Sequence, residues 1–343
     1  MKGVPMQEVF SFLGLEGYAY GLWISIGALL LLCLMGVLGH GARLPKGTVR
    51  VFGALAIPLG ILCSRGVFCL CNLSLFTETY ENPLLMLRFF DGGLSMTGAF
   101  IGLVLAALLT ARLLKISAGR LMDVMVVPLG LFIAVCRAAE SFTALGVGKV
   151  VEESAVMAVA PWLFITETAG IAVEYRLAVY RYEAAAALLI FGWILLYALG
   201  MRKGKHVVSG DAALIFFSLY GASQMVLESL RDDGHLLILF VRAAQVGAAL
   251  MPIAATAVFS RRYVRIRGVD RRIVTSWVII LASVATGILL EFSLDGRLSW
   301  GQPSILRDTL LEAALAVLLF AVPFSLFRKL RNTVYAQGRI LAR

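Results

Sequence analysis

Nine apolar runs of about 20 residues each limit what this chain can fold into. A run of that length crosses the hydrocarbon core of a bilayer as an α-helix. Only 15% of the residues are charged and 60% are hydrophobic, whereas a soluble domain has about 25% charged residues. We therefore predict an all-α, polytopic membrane protein. Its spans are expected at roughly residues 18–40, 50–71, 93–111, 121–142, 183–200, 211–229, 236–259, 273–291 and 309–327.

The basic residues give the orientation of the spans. They cluster after spans one, three, five, seven and nine, whereas the intervening loops are mixed or acidic. Cytoplasmic loops are enriched in Lys and Arg, so we expect the N-terminus outside and the C-terminus in the cytoplasm. The net charge of +10 then reflects topology and contact with anionic lipid heads, and no nucleic-acid partner is expected.

The loops suggest how the chain is divided. Residues 1–259 are expected to form a membrane core, whose longest outer loop, at about 143–182, forms a small extracytoplasmic head. Residues 260–343 are expected to add a basic cytoplasmic loop, two further transmembrane helices and a basic tail. Polar residues soon after Lys2 interrupt any signal-peptide core, so no typical cleavable signal peptide is expected.

Charged side chains inside the apolar runs mark candidate functional positions, because each costs about 2.5–3.5 kcal/mol to insert. By the predicted topology they lie toward the outer leaflet. Arginines at one depth suit a phosphate diester headgroup, since guanidinium binds phosphate bidentately. Snorkelling and ion pairs, such as one between Arg137 and Glu140, explain the same charges structurally. The charged residues are Arg65, Arg137, Glu140, Glu228, Arg231 and Arg242.

Residues 80–102 form a second candidate region. The residue before Pro83 is pushed out of helical space, which predicts a turn. Gly92 and Gly93 allow a close backbone approach, and a helix is expected to begin at about Thr97. Free N–H groups at a helix N-terminus suit an anionic headgroup. A tight re-entrant turn packed between helices explains the pattern equally well.

The five cysteines and three histidines show no metal-ligand or catalytic-triad spacing. Cys69 and Cys71 lie in an apolar run without a nearby His, and are expected to be packing residues. Neither a metal nor a cofactor is therefore expected.

A series of short motifs follows along residues 15–258 in a set order. They are Tyr18-Ala-Tyr20-Gly21-Leu22; Ser64-Arg65-Gly66; Asn82-Pro83-Leu84 with Asp91-Gly92-Gly93-Leu94-Ser95; Asp123 with Pro128-Leu129-Gly130 and Arg137; Tyr182-Glu183; Leu219-Tyr220-Gly221 with Glu228 and Arg231; and Gln245. No single motif is specific, but in this order and spacing the chain resembles the prolipoprotein diacylglyceryl transferase family.

The resemblance implies an enzyme of bacterial lipoprotein biosynthesis in the plasma membrane. Phosphatidylglycerol would enter from the outer leaflet, with its phosphate held by Arg137 together with Arg65 and Arg231. The lipobox Cys thiol of a prolipoprotein signal peptide would attack the glyceryl carbon, and glycerol phosphate would leave. The resemblance implies Arg137 as a catalytic residue, and Glu140 and Tyr20 are catalytic candidates by position alone. The candidate substrate-binding residues are Arg65, Gly92, Gly93, Ser95, Thr97, Tyr182, Glu183, Glu228, Arg231 and Gln245.

The chain departs from the family's pattern at several positions. Thr97 stands where the family has His, Glu140 where it has Asn, and Gln224 where it has Arg. Residues 143–145 replace the family's Asn-Gly-Glu, and two further spans follow Phe259. With the family's His absent, Glu140 and Tyr20 are hypotheses for the base. The departures fit one alternative, a non-catalytic lipid- or lipopeptide-binding paralogue. The nine spans and Gly-rich helices leave a second, a lipid transporter.

Overall fold

The computed structural model describes residues 8–12, 15–79, 82–88, 93–153, 155–169, 172–201, 208–233, 237–238, 241–294 and 304–332. Within these ranges, nine helices are long and apolar enough to cross a membrane, which confirms the predicted all-α polytopic architecture. In chain order the helices are α1 (Ala19–Gly41), α2 (Thr48–Cys71), α3 (Met96–Leu113), α4 (Ala118–Ala139), the short α5 (Ala155–Val159), α6 (Val179–Met201), α7 (Asp211–Ser229), α8 (Ala243–Arg267), α9 (Arg271–Leu294) and α10 (Ile305–Leu330).

The described strands form three small antiparallel sheets, which come before α1, between α4 and α6, and between α7 and α8. They are β1 (Glu8–Phe12), β2 (Leu15–Tyr18), β3 (Val150–Val151), β4 (Phe164–Ala169), β5 (Ala172–Leu177), β6 (Leu237–Ile238) and β7 (Val241–Arg242). β1 pairs with β2, β6 pairs with β7, and the three strands of the head lie in the order β3-β5-β4.

The largest difference from the predicted spans is in the seventh, which was expected at residues 236–259. Instead, α8 begins at Ala243, after the β6–β7 hairpin, and continues to Arg267. An apolar run marks only the part of a helix that suits hydrocarbon. The basic residues after Phe259 continue the same backbone hydrogen bonding beyond that run, so the pattern missed two helical turns.

Helix α4 lies at the centre of the bundle and packs against α1, α3, α6 and α7. Leu121, Met125, Leu129 and Ile133 follow one another at four-residue spacing, and each is at most 1% exposed. This spacing puts them on one face of the helix. The enclosed position of α4 also encloses Arg137 in its last turn.

Two glycines bring α2 and α3 together. Gly98 and Gly102 lie one turn apart on α3. A Cβ atom at Gly98 would collide with the carbonyl oxygen of Cys63, and one at Gly102 would lie 2.7 Å from the Cα of Gly60. Small residues at a helix interface let two backbones approach closely, so this pair of helices depends on both glycines.

The two helices beyond residue 259 are integrated into the bundle. α10 packs against α7, α8 and α9. The ring of Trp193 on α6 lies 5.7 Å from Phe320 and 5.9 Å from Phe324, and Phe327 lies 5.8 Å from Phe259. Aromatic pairs at these distances add to the burial energy, so α10 is held by the matched faces of α6 and α8.

Successive spans reverse direction, which gathers the C-terminal ends of α2, α4, α7 and α9 at one end of the bundle. We call this the site end. The head, built from β3, α5, β4 and β5, lies there too. The N–H of Lys149 donates to the carbonyl of Leu230 at 3.0 Å, and the N–H of Asp232 donates to that of Val147 at 2.9 Å. These bonds join the head to the chain that follows α7.

Candidate functional site

Two arginines and two glutamates meet at the site end, almost fully buried. Arg137 lies in the last turn of α4 and Arg231 lies just after α7, and each is 7% exposed. Glu140 is 6% exposed and Glu183, in the first turns of α6, is 1% exposed. We call these four residues the arginine–carboxylate cluster. Charges buried to this extent require partners, so their pairing defines the site.

Each arginine is held by carboxylates from different elements. Nη1 of Arg137 donates to Oε1 of Glu140 at 2.6 Å, and its Nη2 lies 3.3 Å from Oε1 of Glu183. Nη1 of Arg231 donates to Oε2 of Glu183 at 2.7 Å. Asp233 binds the other side of Arg231, accepting from Nε at 2.9 Å and from Nη2 at 2.5 Å. Glu183 therefore bridges the two arginines.

Three buried polar atoms of the cluster have no hydrogen-bond partner among the described residues. They are Nε of Arg137, Oε2 of Glu140 and Oε1 of Glu183. The two oxygens still take part in ion pairs, since Oε2 of Glu140 lies 3.5 Å from Nη1 of Arg231. The described residues supply no acceptor for Nε of Arg137. A buried group left in that state costs about 1–3 kcal/mol, which an anionic ligand would recover.

Gly146 shapes the cluster, and the sequence reasoning missed it. Its φ is +73°, in the left-handed region that favours glycine. A Cβ atom there would collide with Oε2 of Glu140 and lie 2.6 Å from the Cβ of Tyr180. Its N–H donates to Oδ2 of Asp233 at 2.8 Å. A glycine in a loop was the only sequence signal, and it did not indicate which side chain the glycine would meet.

Other side chains surround the cluster. Tyr20, in the first turn of α1, lies within electrostatic range of Glu140 and Arg137. Gln224 on α7 accepts from Nη2 of Arg137 at 3.5 Å. Glu228, buried near the end of α7, lies within electrostatic range of both arginines. The predicted site residues that the structure brings together are Tyr20, Arg137, Glu140, Glu183, Glu228 and Arg231.

Arg65 makes a separate set of contacts at the same end of the bundle. Its guanidinium donates to the carbonyls of Met86 and Leu85, both at 2.9 Å, and to that of Gly93 at 3.2 Å. It also lies 5.3 Å from the ring centroid of Phe68. Arg65 thus fastens the connection between α2 and α3, as expected for a packed turn. Its predicted contact with lipid phosphate stays a prediction.

Three further predicted residues shape the start of α3. Gly93 has a φ of +66°. Ser95 caps the helix and accepts a bond from a backbone N–H in its first turn at 3.5 Å, so that N–H is already used. Thr97 packs against Gly247 of α8. A Cβ atom added at Gly247 would lie 2.6 Å from Cγ2 of Thr97. Gly92 lies outside the described residues. Headgroup binding by these residues stays a prediction.

Tyr182 and Gln245 lie beside the cluster rather than in its ion pairs. The hydroxyl of Tyr182 donates to the carbonyl of Leu163 and ties α6 to the head. Gln245 is buried in the first turn of α8. Just before it, Nη1 of Arg242 donates to the carbonyl of Glu228 at 2.6 Å. Substrate contacts of Tyr182 and Gln245 stay predictions.

A cavity of about 300 Å³ lies at the opposite end of the bundle, lined in part by Arg120, Asp123 and Ser209. Asp123 and Arg137 are about 21 Å apart along α4, at 1.5 Å per residue. Asp123 has its own role, because its carboxylate accepts from the N–H of Gly210 at 2.7 Å, just before α7. The cavity is therefore separate from the arginine–carboxylate cluster.

Comparison with known proteins gives one family. Residues 7–261 match the family model for prolipoprotein diacylglyceryl transferase. The phosphatidylglycerol–prolipoprotein diacylglyceryl transferase of Bacillus licheniformis is 27% identical over 268 residues, which cover 78% of this chain and 96% of that protein. The proteins of the same name from Symbiobacterium thermophilum and Bacillus velezensis are 26% and 25% identical, covering 68% and 74% of this chain and 84% and 91% of the relatives. The match ends within α8, so α9 and α10 lie beyond it. This chain belongs to the prolipoprotein diacylglyceryl transferase family, a family of transferases.

Proposed function

We propose that this protein transfers the diacylglyceryl group of phosphatidylglycerol to the lipobox Cys thiol of a prolipoprotein. Family membership supports the reaction class. The observation that carries the proposal is Nε of Arg137, a buried nitrogen for which the described residues supply no hydrogen-bond acceptor, on a guanidinium whose other nitrogens are already held. Such a donor suits one phosphate oxygen of a lipid headgroup.

Arg137 would bind the phosphate and stabilise the leaving group. Glu140 and Glu183 orient its guanidinium before any lipid binds, so the phosphate meets a donor that is already aimed. Negative charge builds on the departing glycerol phosphate, and a fixed cation in a buried site stabilises that charge strongly. Arg231 supplies the second positive charge. Its ion pair with Glu183 holds it beside Arg137.

Glu140 would accept the proton of the thiol. Its Oε1 is held by Arg137, whereas its Oε2 has no hydrogen-bond partner among the described residues. The thiolate is the reactive form of cysteine. Its sulfur would form a bond to the glyceryl carbon as that carbon's bond to the phosphate oxygen breaks. The electron pair leaves with glycerol phosphate, and a thioether-linked diacylglyceryl group remains. Tyr20 is the second candidate for the base.

The charge balance of the site fits this assignment. Glu140, Glu183 and Asp233 surround Arg137 and Arg231 with more negative than positive charge. An incoming phosphate adds another negative charge. Moving the thiol proton to Glu140 neutralises that carboxylate beside the arginines, while the negative charge moves to the sulfur and then to the departing glycerol phosphate. Proton transfer and phosphate binding would therefore assist each other.

The same charge balance favours one second candidate, a lipid- or lipopeptide-binding paralogue without transfer. Thr97 stands at the position of the family's His, and a Thr hydroxyl is a poor base near neutral pH. Without a base for the thiol no thiolate would form, although Nε of Arg137 would still offer the phosphate a donor. That protein would bind lipid and make no product.

The expected setting completes the proposal. The chain is a multi-pass membrane protein, and we place it in the bacterial plasma membrane, with its N-terminus outside and its C-terminus in the cytoplasm. Residues 1–259 would form the catalytic core, with an extracytoplasmic head at about 143–182. The second substrate would be a prolipoprotein signal peptide, read at the membrane surface beside the head.

Mass spectrometry of a lipobox peptide tests the proposal. Purified protein in phosphatidylglycerol vesicles is expected to add one diacylglyceryl group to the Cys peptide, and none to the same peptide with Ser in place of Cys. Vesicles of phosphatidylcholine serve as the lipid control. Binding of phosphatidylglycerol without any adduct would favour the binding paralogue, and movement of lipid between leaflets without adduct would favour a transporter.

A further inference from the structure

A second buried ion pair lies beside the arginine–carboxylate cluster, and α9 supplies half of it. Nε of Arg242 lies 2.8 Å from Oε1 of Glu291. Both residues are buried, at 6% and 4% exposed. Glu291 lies near the end of α9, beyond the part of the chain that the family model matches. A glutamate this enclosed requires a cation nearby, and Arg242 provides one.

The other side of Arg242 holds the chain that follows α7. Its Nη1 donates to the carbonyl of Glu228 at 2.6 Å and to that of Arg231 at 3.2 Å. These carbonyls belong to the turn that directs Arg231 into the cluster. A cation at the C-terminal end of a helix also satisfies carbonyls that lack helical partners. Arg242 therefore connects Glu291 of α9 with the backbone of Arg231.

Helix α10 adds a second attachment to the same turn. The hydroxyl of Ser229, the last residue of α7, donates to Oε2 of Glu312. Both residues are buried, and Glu312 lies within electrostatic range of Glu291 and Arg242. Glu312 of α10 thus contacts the turn directly through Ser229, whereas Glu291 of α9 reaches it through Arg242.

We propose that the α9–α10 pair positions Arg231 for diacylglyceryl transfer, and that Glu291 is the positioning residue through which the pair acts. The inference rests on the proposed function. Glu291 fixes the direction of the Arg242 guanidinium, Arg242 fixes the turn, and the turn fixes Arg231 beside Glu183. A shift of about 1 Å at a group that orients substrate costs on the order of 100-fold in rate.

The test compares Glu291→Gln with Asp308→Asn in the full-length protein. The control removes another buried carboxylate of the same helix pair, whose partner Arg307, at 2.7 Å, has a side chain that is 51% exposed. In phosphatidylglycerol vesicles with the lipobox Cys peptide, we expect Glu291→Gln to lower kcat about 10- to 100-fold with a smaller change in KM. Asp308→Asn is expected to keep the wild-type rate.

A double-mutant cycle separates positioning from general loss of structure. If Glu291 acts through Arg242, the variant carrying both Glu291→Gln and Arg242→Gln is expected to be no slower than Arg242→Gln alone. Additive losses would contradict the proposed connection. Hydrogen exchange gives a second readout, because amides at residues 228–233 are expected to exchange faster in Glu291→Gln than in Asp308→Asn.

The outcomes distinguish this inference from the proposed function. Wild-type protein that makes no adduct overturns the function, and equal exchange at residues 228–233 in the two variants then overturns the positioning as well. An active wild type with an equally active Glu291→Gln overturns the positioning alone. If Glu291→Gln does not fold, Arg242→Lys decides, since Lys keeps the charge but lacks the planar fork. Wild-type kcat in that variant would refute the inference.

Discussion

The carboxylate of Glu183 lies 2.7 Å from the guanidinium of Arg231, in a contact that joins α6 to the end of α7. The glutamate's side chain is fully enclosed, and its other oxygen lies 3.3 Å from Nη2 of Arg137. One carboxylate therefore serves two buried cations. Because both arginines depend on it, Glu183 ties the stability of the bundle to the chemistry proposed for the site.

Glu183→Gln is expected to destabilise the folded protein by about 3 kcal/mol, because it removes the counter-charge shared by two buried arginines. The matched control is Glu167→Gln in the head. Glu167 pairs with Arg176 at 3.1 Å, but its side chain is 46% exposed, so its loss is expected to cost less than about 1 kcal/mol. Unfolding in detergent measures both variants. Equal losses of unfolding free energy in the two variants would show that the buried carboxylate of Glu183 stabilises the protein no more than an exposed one does.

Gly146→Ala is expected to destabilise the protein by about 1–3 kcal/mol, since alanine is strained at a φ of +73°. Its Cβ would also push Glu140 away from Arg137, so transfer activity is expected to fall in the protein that remains folded. Gly192→Ala on α6 is the control, because a Cβ there meets nothing within 4 Å. That variant is expected to be neutral or more stable by about 0.5–1 kcal/mol. Full activity in Gly146→Ala would contradict this account of the Glu140 environment.

Glu140→Gln is expected to lower kcat about 100-fold or more, as loss of a general base does. Gln keeps an oxygen that can accept from Arg137, so the fold is expected to survive. The kcat of adduct formation in phosphatidylglycerol vesicles measures the effect, and unfolding in detergent shows that the variant is folded. A variant with an unchanged rate would leave Tyr20 as the remaining candidate.

Acid is expected to weaken the connection between α8 and α9 through Asp270. Its carboxylate accepts from the hydroxyl of Tyr263 at 2.8 Å and from the N–H of Arg272 at 3.0 Å. The bond from Tyr263 and those from the backbone hold the pKa of Asp270 below its ordinary value. The charged form is therefore favoured in the folded state, and its stabilising contribution is complete above the unfolded pKa of about 3.9. That contribution is lost as pH falls through the lower folded pKa.

Thermal unfolding at several pH values checks this expectation. The melting temperature of the wild type is expected to exceed that of Asp270→Asn by a constant amount near neutral pH. The difference is expected to shrink below about pH 4. A difference that stays constant into strong acid would mean that the carboxylate charge contributes nothing, and that only the shape of the side chain matters.

The sequence predicted the spans well, because hydropathy reports directly on which residues suit hydrocarbon. It also predicted the contact between Arg137 and Glu140, since residues three apart on a helix face each other. That ion pair is confirmed at 2.6 Å. Local spacing was sufficient in both cases, because the relevant geometry is contained within one helix.

The rest of the site depends on contacts between elements that are distant in sequence. Nothing in the local pattern of Glu183 or Arg231 indicates that they meet across 48 residues. The charge of Glu291 was hidden inside a span that was predicted only as an additional helix, and its partner Arg242 lies in another element. Such pairs are set by how the helices pack, which hydropathy and spacing do not determine.

The rate of adduct formation by Arg137→Gln tests the central claim most directly. It is measured in phosphatidylglycerol vesicles with the lipobox Cys peptide, beside Arg262→Gln. Arg262 also forms a partly buried ion pair, with Asp211 at 2.5 Å, but at the opposite end of the bundle. We expect Arg137→Gln to lose about 100-fold or more in rate, and Arg262→Gln to keep the wild-type rate. A folded Arg137→Gln protein that forms the adduct at the wild-type rate would contradict the assignment of the arginine–carboxylate cluster as the site of transfer.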